Sequence, residues 1–580
     1  MRRNTMKGLK SLSLALGLGT ASLALLAAAG ANAAATGAAD TYPSVTQDRL
    51  MHAESDNGWL MYRRAYNSQG YAPFAQIDSA NVGTLKEVFS YKTGLTQGHE
   101  GAPIVNGRFM FITTPLDHLV ALDAVTGKVL WSYVRDLPEK ALKTVCCDVV
   151  NRGVALYGDK VFMATLDNYV VALDATTGKM AWQTKLEAPG VGYAMTGAPL
   201  IVDGKVVVGE SGGEYGARDF IAALDAQSGK VAWTRYTVPS PNEKNGNTWP
   251  KGAYLHAGGS AWLTGSYDPE THTLFWGVGN PGPWLAKLRP GKNLYTDSVL
   301  ALNPDTGAIK WYYQYTEHDT WDYDGVNASV LADITVDGKP VKALLHADRN
   351  GWFYALNREN GQFLFSKPFT KVTSVTGHQP DGTPIESAAL RPDVGKKIFT
   401  CPSFLGGKNW WPMAVNDKLG LAFVPTLHAC MTMDGTAVSY MAGLPYLGES
   451  FEVEAEPGSK GWGEVQAINI NTGKQVWSDK TALPWNDGML ATASDLVFSG
   501  SADGVFKAFD AKTGKVLWES PKMSSGIIGV PVSYQVDGKQ YIAVMSGWGG
   551  ATPIWGGVMA KDKAVSDIPR GGELHVFALH

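Results

Sequence analysis

The stretch Ala121-Leu-Asp-Ala-Val-Thr-Gly-Lys-Val-Leu-Trp131 decides the fold. An apolar strand end runs into an Asp-x-x-Thr-Gly turn, and a second strand ends in an aromatic residue. The Thr-Gly pair supplies the positive φ that a tight hairpin demands. Apolar and small residues alternate on either side, as in strands rather than helices. The pattern recurs at Ala172–Trp182, Ala223–Trp233, Ala301–Trp311, Ala355–Phe365 (Phe replacing Trp), Ala467–Trp477 and Ala508–Trp518. The seven copies are spaced by 51, 51, 78, 54, 112 and 41 residues. A four-stranded unit of roughly 50 residues cannot bury both its faces alone, so such units stack around an axis, with the terminal Trp docked between neighbours. The expected fold is therefore all-β, an eight-bladed β-propeller. The 112-residue gap is long enough to hold a degenerate eighth copy, and Glu573–Leu579 reads as a strand that closes the ring and removes its exposed edge. Insertions at 234–300 and 366–466, rich in Gly, Pro, Trp and Asn, are where function is expected, since loops carry sites and repeats carry stability.

Composition narrows the possibilities. The 580 residues carry 50 Lys+Arg against 54 Asp+Glu, which excludes a polybasic nucleic-acid binder, and a hydrophobic content of 45% excludes a disordered chain. Arg2, Arg3, Lys7 and Lys10 precede an apolar run and Ala31-Asn32-Ala33, the pattern of a secretory signal. Residues 1–34 are expected to be that signal, and 35–580 a single exported propeller domain. No second apolar stretch approaches the ~20 residues of a membrane span, so none is expected in the mature chain.

Export permits disulfides. Cys146 and Cys147 are adjacent, and Cys401 and Cys430 lie 29 positions apart. Two arrangements are open: one ordinary bridge with two free thiols, or a bond between the neighbours that strains the intervening peptide. Three acidic or amide segments stand out: Gly213-Glu214-Tyr215-Gly216, the turn Gly277–Gly282 around Asn280, and His318–Gly325, which holds Asp319, Asp322 and Asp324. On a strand, Asp322 and Asp324 would point to the same side. Each segment alone is ordinary turn chemistry. Their occurrence in consecutive repeats brings corresponding loops together, and convergent carboxylate and amide oxygens suit a hard cation, calcium or a larger trivalent ion rather than magnesium. Trp262, outside the docking pattern, offers a flat platform for a planar ligand.

These residues resemble a known family, the pyrroloquinoline quinone (PQQ)-dependent alcohol dehydrogenases of the periplasm, across about residues 45 to 580. The resemblance rests on Gly98-His-Glu-Gly-Ala-Pro103, Cys146-Cys-Asp-Val-Val-Asn-Arg152, Gly213-Glu-Tyr-Gly, Gly279-Asn-Pro-Gly-Pro283, Trp321-Asp-Tyr-Asp-Gly325 and Asp348-Arg-Asn-Gly351. It implies a Cys146–Cys147 disulfide over one face of the quinone, the Trp262 indole beneath it, and a structural Cys401–Cys430 bridge. Glu100, Arg152, Thr196, Ser260, Arg349, Asn409 and Trp485 match positions that bind the quinone or line its pocket, and Ser211, Gly212 and Gly213 fit a backbone cradle beside it. Glu214, Asn280 and Asp322 match the metal ligands, with Asp322 also the catalytic base.

The implied chemistry is hydride transfer from an alcohol to metal-bound PQQ, giving an aldehyde or ketone. Asp324 departs from the calcium-using members, which carry a small uncharged residue there, and matches the lanthanide-using branch. With a cation near 2.5 Å and an effective dielectric near 20, one extra unit of positive charge gains several kcal/mol per carboxylate before desolvation. One lanthanide(III) ion is therefore expected, with Ca²⁺ as the fallback. No C-x-x-C-H haem motif is present, so electrons are expected to leave to a separate soluble cytochrome c. A competing class, a non-catalytic propeller scaffold that binds proteins, shares the repeat but needs neither the paired cysteines nor the acidic set. Phe404–Pro412 and Met441–Pro445 are expected to shape the pocket of a small-molecule alcohol. Motif and loop order is nearer the ethanol and broad-specificity branch than the methanol one. Monomer and homodimer are both open.

Overall fold

A computed structural model describes residues 41–580; the expected signal segment lies outside them. Among the described residues, eight sheets have four strands, one of them extended to five. Every copy of the repeat occupies the same place, the hairpin joining the last two strands of a sheet. In the first, His118–Asp123 pairs antiparallel with Val129–Val134, Ala121 lies opposite Trp131, and a bulge follows before Leu122. The same pairing and bulge place Ala172 opposite Trp182, Ala223 opposite Trp233, Ala301 opposite Trp311, Ala355 opposite Phe365, Ala467 opposite Trp477 and Ala508 opposite Trp518. The turn is built by its aspartate: Asp123 accepts from the backbone N–H of Val125 (3.1 Å) and Thr126 (2.8 Å) and from the Thr126 hydroxyl (2.8 Å).

The turn glycine does two things. It adopts positive φ, and it lies under the aromatic residue of the preceding sheet. A Cβ on Gly307 (φ +68°) would lie 2.5 Å from the Trp233 ring, and Gly178, Gly229, Gly361 and Gly514 meet Trp131, Trp182, Trp311 and Trp477 in the same way. Four of these indole N–H groups then reach the next sheet's turn: Trp131 donates to the Ala175 carbonyl at 3.0 Å, Trp182 to Ala226 at 3.2 Å, Trp233 to Pro304 at 2.9 Å and Trp477 to Ala511 at 2.9 Å, while that of Trp311 is buried without a partner among the described residues. Successive sheets are thus stacked by one contact repeated around the ring.

The ring closes as Glu573–Leu579 suggested. This strand pairs antiparallel with Leu85–Lys92, and Lys539–Ser546 and Val532–Val536 complete that sheet. Phe89 of the early strand covers Gly127, whose added Cβ would lie 2.4 Å from the ring. The remaining sheet is therefore assembled from both ends of the described chain, and the 112-residue gap holds no hidden copy. That gap is instead an insertion with its own hairpin (Val375–His378, Pro384–Glu386) and a three-stranded sheet (Ile398–Thr400, Ala429–Gly435, Glu449–Ala455). The Cys401–Cys430 disulfide ties this insertion together, and its strands bury Met431, Met433 and Val453. His428 sits between two acids there, Nδ1 at 3.0 Å from Glu456 and Nε2 at 2.7 Å from Glu464. No helix among the described residues is long and apolar enough to cross a membrane.

Two outcomes follow. Trp233→Ala removes a buried indole and its hydrogen bond, and should lower the stability measured by denaturant unfolding by about 3 kcal/mol. Burial alone would depress the His428 imidazole, but the hydrogen bonds to Glu456 and Glu464 outweigh it and lift it to about 9. A raised value stabilises the fold fully below the unfolded pKa of about 6.5 and loses that contribution as pH rises through about 9. The unfolding midpoint should therefore fall across this interval, with a shallower fall in His428→Gln.

Candidate active site

Connections between sheets, and the loops joining the second and third strands within a sheet, converge on one cavity. Glu214 lies in the short turn Gly213–Tyr215, between strands Lys205–Gly209 and Phe220–Asp225. Asn280 holds the corresponding place in the next sheet, between Thr273–Val278 and Ser298–Leu302, and Arg349 in the one after, between Lys339–Ala347 and Trp352–Asn357. Asp322 and Asp324 come from the connection between those last two sheets. They are not on a strand: Asp322 has φ +59°, a left-handed conformation unusual for a residue with a side chain.

The paired cysteines are bonded to each other, in the connection between the first two repeats. Cys147 (φ +69°) and Asp148 (φ +81°) are both left-handed. Asp148 pins the loop, its carboxylate accepting from the backbone N–H of Gly98 at 2.8 Å and of Gly550 at 3.0 Å.

About 740 Å³ of space, open solvent at the mouth included, lies within the bounds of the cavity. Its wall includes fourteen of the residues singled out from sequence: Glu100, Cys146, Cys147, Arg152, Thr196, Ser211, Gly212, Glu214, Ser260, Trp262, Asp322, Asp324, Arg349 and Asn409. Three others do not line it. Gly213 and Asn280 lie just behind the wall: the Gly213 N–H donates to the Ser260 hydroxyl at 3.0 Å, and a Cβ on Gly213 would be 3.5 Å from Asn280 Oδ1. Trp485 is fully buried in apolar core against Phe509, its indole N–H spent on Ser499 at 2.9 Å. It lies in the connection between Gln475–Thr481 and Leu490–Thr492, packed into core rather than lining the cavity.

Sequence reading missed several wall residues, Ala194, Gly192, Val145, Val150 and Ala551, whose small or apolar side chains carry no chemical signature. Of the anticipated roof, Phe404, Leu405 and Trp410 are in the wall; Met441 and Leu444 are exposed and do not line it. Asp219 was also missed. It accepts from the Ser260 hydroxyl at 2.9 Å, and through Ser260 it braces Gly213 and the Glu214 turn.

Two arginines organise the charge. Arg152 reaches Glu100 at 2.6 Å and donates to the Thr196 hydroxyl at 2.7 Å; its guanidinium lies 4.8 Å from the Trp262 ring centre and 4.9 Å from that of Trp410. Burial pushes Glu100 up to about 7, against the pull of Arg152. Arg349 donates to the Asp322 main-chain carbonyl (3.0 Å) and side chain (3.2 Å), and reaches Asp324 at 3.0 Å. Asp324 also accepts from the Trp262 indole N–H at 3.1 Å and from the Asn280 backbone N–H at 2.7 Å.

The charge does not balance. Three carboxylates surround one guanidinium, and the shifts show the strain. Burial, with Asp324 adding to it, pushes Glu214 up to about 7; burial holds Asp322 well above the ordinary carboxylate range despite Arg349; Asp219 is pushed up to about 7 mainly by burial. Asp322 Oδ1 and both side-chain atoms of Asn280 are buried without a hydrogen-bond partner. Buried oxygens without donors, beside excess negative charge, are what a cation satisfies. The Nε atoms of Arg152 and Arg349 are likewise unpartnered, and suit an anionic, carboxylate-bearing ligand in the cavity between them. The residues present thus fit both a hard cation and a flat anionic quinone.

Comparison with known proteins agrees with this geometry. Residues 59–376 and 383–542 match the family model for PQQ, described as a glucose/ethanol/alcohol dehydrogenase beta-propeller domain. The chain is 42% identical over 537 residues to quinoprotein alcohol dehydrogenase PedH of Pseudomonas putida, covering 88% of this chain and 89% of that one. It is 38% identical over 582 residues to the lanthanide-dependent methanol dehydrogenase of Methylacidiphilum fumariolicum, covering 92% and 94%. The solved structure of a europium-containing methanol dehydrogenase superposes with a TM-score of 0.88 at 37% identity, covering 92% of this chain and all of that one. By fold, site and kinship the chain belongs to the PQQ-dependent, or quinoprotein, alcohol dehydrogenases.

Proposed function

We propose that this chain oxidises a primary or secondary alcohol to the aldehyde or ketone in the periplasm, with PQQ between the Cys146–Cys147 disulfide and Trp262. In this reading Glu214, Asn280, Asp322 and Asp324 hold one lanthanide(III) ion, and electrons leave to a soluble cytochrome c. The observation that carries it is Asp322, a cavity carboxylate with one oxygen bound by Arg349 and the other free. When bound, the quinone supplies the hydride acceptor and the ion the Lewis acidity that polarises it and keeps the nearby carboxyls ionised.

The chain's own residues do the rest. Arg152, braced by Glu100 and Thr196, and Arg349, whose guanidinium groups lie 4.8 Å and 5.7 Å from the Trp262 ring centre, would orient the carboxylates of the ligand. In this reading the flat quinone lies between the disulfide and the Trp262 indole, both in the cavity wall, and the indole N–H fixes Asp324. Asp322 takes the proton of the alcohol hydroxyl as general base, an effect worth roughly 10²–10⁴ in rate. Arg349 keeps that carboxylate aimed by holding its main chain as well as its side chain. Val145, Val150, Phe404 and Leu405 give the cavity apolar wall, which suits the carbon skeleton of an alcohol.

Support for the trivalent ion is the third acidic side chain, Asp324, already positioned by three donors from Asn280, Trp262 and Arg349. Two of the similar proteins are named for a lanthanide. A protein-binding scaffold has no use for these buried, unpaired groups, and the enzyme reading is preferred.

Asp322→Asn should lower kcat by about 10²-fold or more with an alcohol and a dye acceptor, while the quinone absorbance of the loaded protein is retained; turnover near the parent level would move the base elsewhere. Reconstitution with PQQ and either La³⁺ or Ca²⁺ tests the ion. La³⁺ should give the higher turnover, and Asp324→Ala should weaken La³⁺ binding by at least about tenfold while affecting Ca²⁺ less. Full turnover with Ca²⁺ alone, unchanged in Asp324→Ala, would overturn the lanthanide reading.

A further inference from the structure

Asp322 is left-handed, at φ +59°, in a loop whose neighbours are all turned inward. Trp321 and Tyr323, on either side of it, are fully buried. The Trp321 indole donates to the Leu390 carbonyl at 2.8 Å, and the Tyr323 hydroxyl donates to the Pro402 carbonyl at 2.7 Å. Between these two buried aromatic residues the Asp322 side chain leaves for the cavity, as Asp324 does beyond them, and Asp322 does so from a backbone conformation that a side chain disfavours.

A single carboxylate spans the turn. Asp319, 1% exposed and absent from the cavity wall, accepts from the Trp321 N–H through Oδ1 at 2.9 Å and from the Tyr323 N–H through Oδ2 at 3.2 Å. Both oxygens are thus engaged by the backbone on either side of Asp322. The first bond is an ordinary Asx turn; the second pulls the chain back two residues later and leaves Asp322 at the apex. Asp319 is itself held. The fully buried Arg289 donates to the Asp319 main-chain carbonyl, and also to the carbonyls of Pro283 at 2.6 Å and Trp284 at 2.7 Å and to Asn293 Oδ1 at 2.8 Å. Pro283 and Trp284 continue the turn that carries Asn280, so Arg289 fixes the Asn280 turn and the Asp322 loop to each other.

We propose that Asp319 is the positioning residue of the reaction: its carboxylate imposes the backbone conformation that sends Asp322 into the cavity, and Arg289 registers that loop against the Asn280 turn. The claim rests on Asp322 being the base. Asp319 never meets substrate or quinone; it acts only through the peptide N–H groups of Trp321 and Tyr323. An amide at position 319 keeps one acceptor, while its NH₂ faces the second N–H donor to donor, so the turn relaxes and Asp322 loses its aim.

The test uses the full chain loaded with PQQ and La³⁺, with quinone occupancy read from absorbance. In Asp319→Asn, kcat per quinone-loaded site should fall about 100-fold, the order expected for a misplacement of ~1 Å. KM for the alcohol and quinone occupancy should stay within about threefold of the parent. Asp319→Ser, which keeps one acceptor, and Asp319→Glu, which keeps the charge but not the reach, should show the same split. The proposal is overturned if kcat per loaded site stays within about threefold of the parent in the variants that load, or if all three fail to load, since a positioning role leaves loading intact. Asp322→Asn run in parallel separates the two claims. Retained turnover there removes the base itself, whereas lost turnover with active Asp319 variants removes only the positioning role.

Discussion

An indole lying on a glycine of the next sheet is the contact on which everything else in this molecule depends. It recurs from Trp131 on Gly178 to Trp477 on Gly514, and Phe89 on Gly127 carries it into the sheet that closes the ring. Because the glycine lacks a side chain, the ring face sits directly on backbone, and an alanine there would push the sheets apart. The repeated contact fixes the angle between neighbours. It also brings loops of the same kind, from sheets far apart in sequence, to one end of the ring. Glu214, Asn280 and Arg349 occupy corresponding loops of three consecutive sheets for this reason and no local one.

The cost of that convergence is electrostatic. Burying Glu214, Asp322 and Asp324 around one guanidinium leaves more negative charge than the protein neutralises itself, and desolvation shows in the raised values of Glu214 and Asp322. Such an arrangement is weak evidence for stability and good evidence for function. The unpartnered oxygens of Asp322 and Asn280 concentrate where those charges meet.

The fold was legible because its determinant is local. Ala121–Trp131 and its copies contain the turn aspartate or asparagine, the turn glycine and the docking aromatic within eleven residues, so the hairpin and the stacking contact can be read together. The sheet joining Leu85–Lys92 to Glu573–Leu579 lacks that hairpin; its last strand was foreseen, but its partner was not, because pairing across the whole chain leaves no spacing to read. At the site, residues with distinctive chemistry, such as the paired cysteines, Arg152, Glu214 and Asp322, were visible. Ala194 and Ala551 were not, since their contribution is the space they leave. Trp485 shows the opposite error: a tryptophan that sequence likeness put at the pocket is held in the core by Phe509 and Ser499. Asp319 was seen only as one acid among three, because its role depends on hydrogen bonds to the backbone two and four residues ahead.

The pairing of Leu85 with Leu579 has a consequence for biogenesis. The two strands are separated by nearly the whole polypeptide, so the annulus is unfinished until the last of these segments has been delivered. Cavity walls drawn from Glu100, Cys146 and Ala551 come from both early and late stretches of that polypeptide. Prosthetic-group capture therefore belongs after the closing strand has joined the sheet, and an intermediate that lacks it has no enclosed compartment in which to retain a ligand.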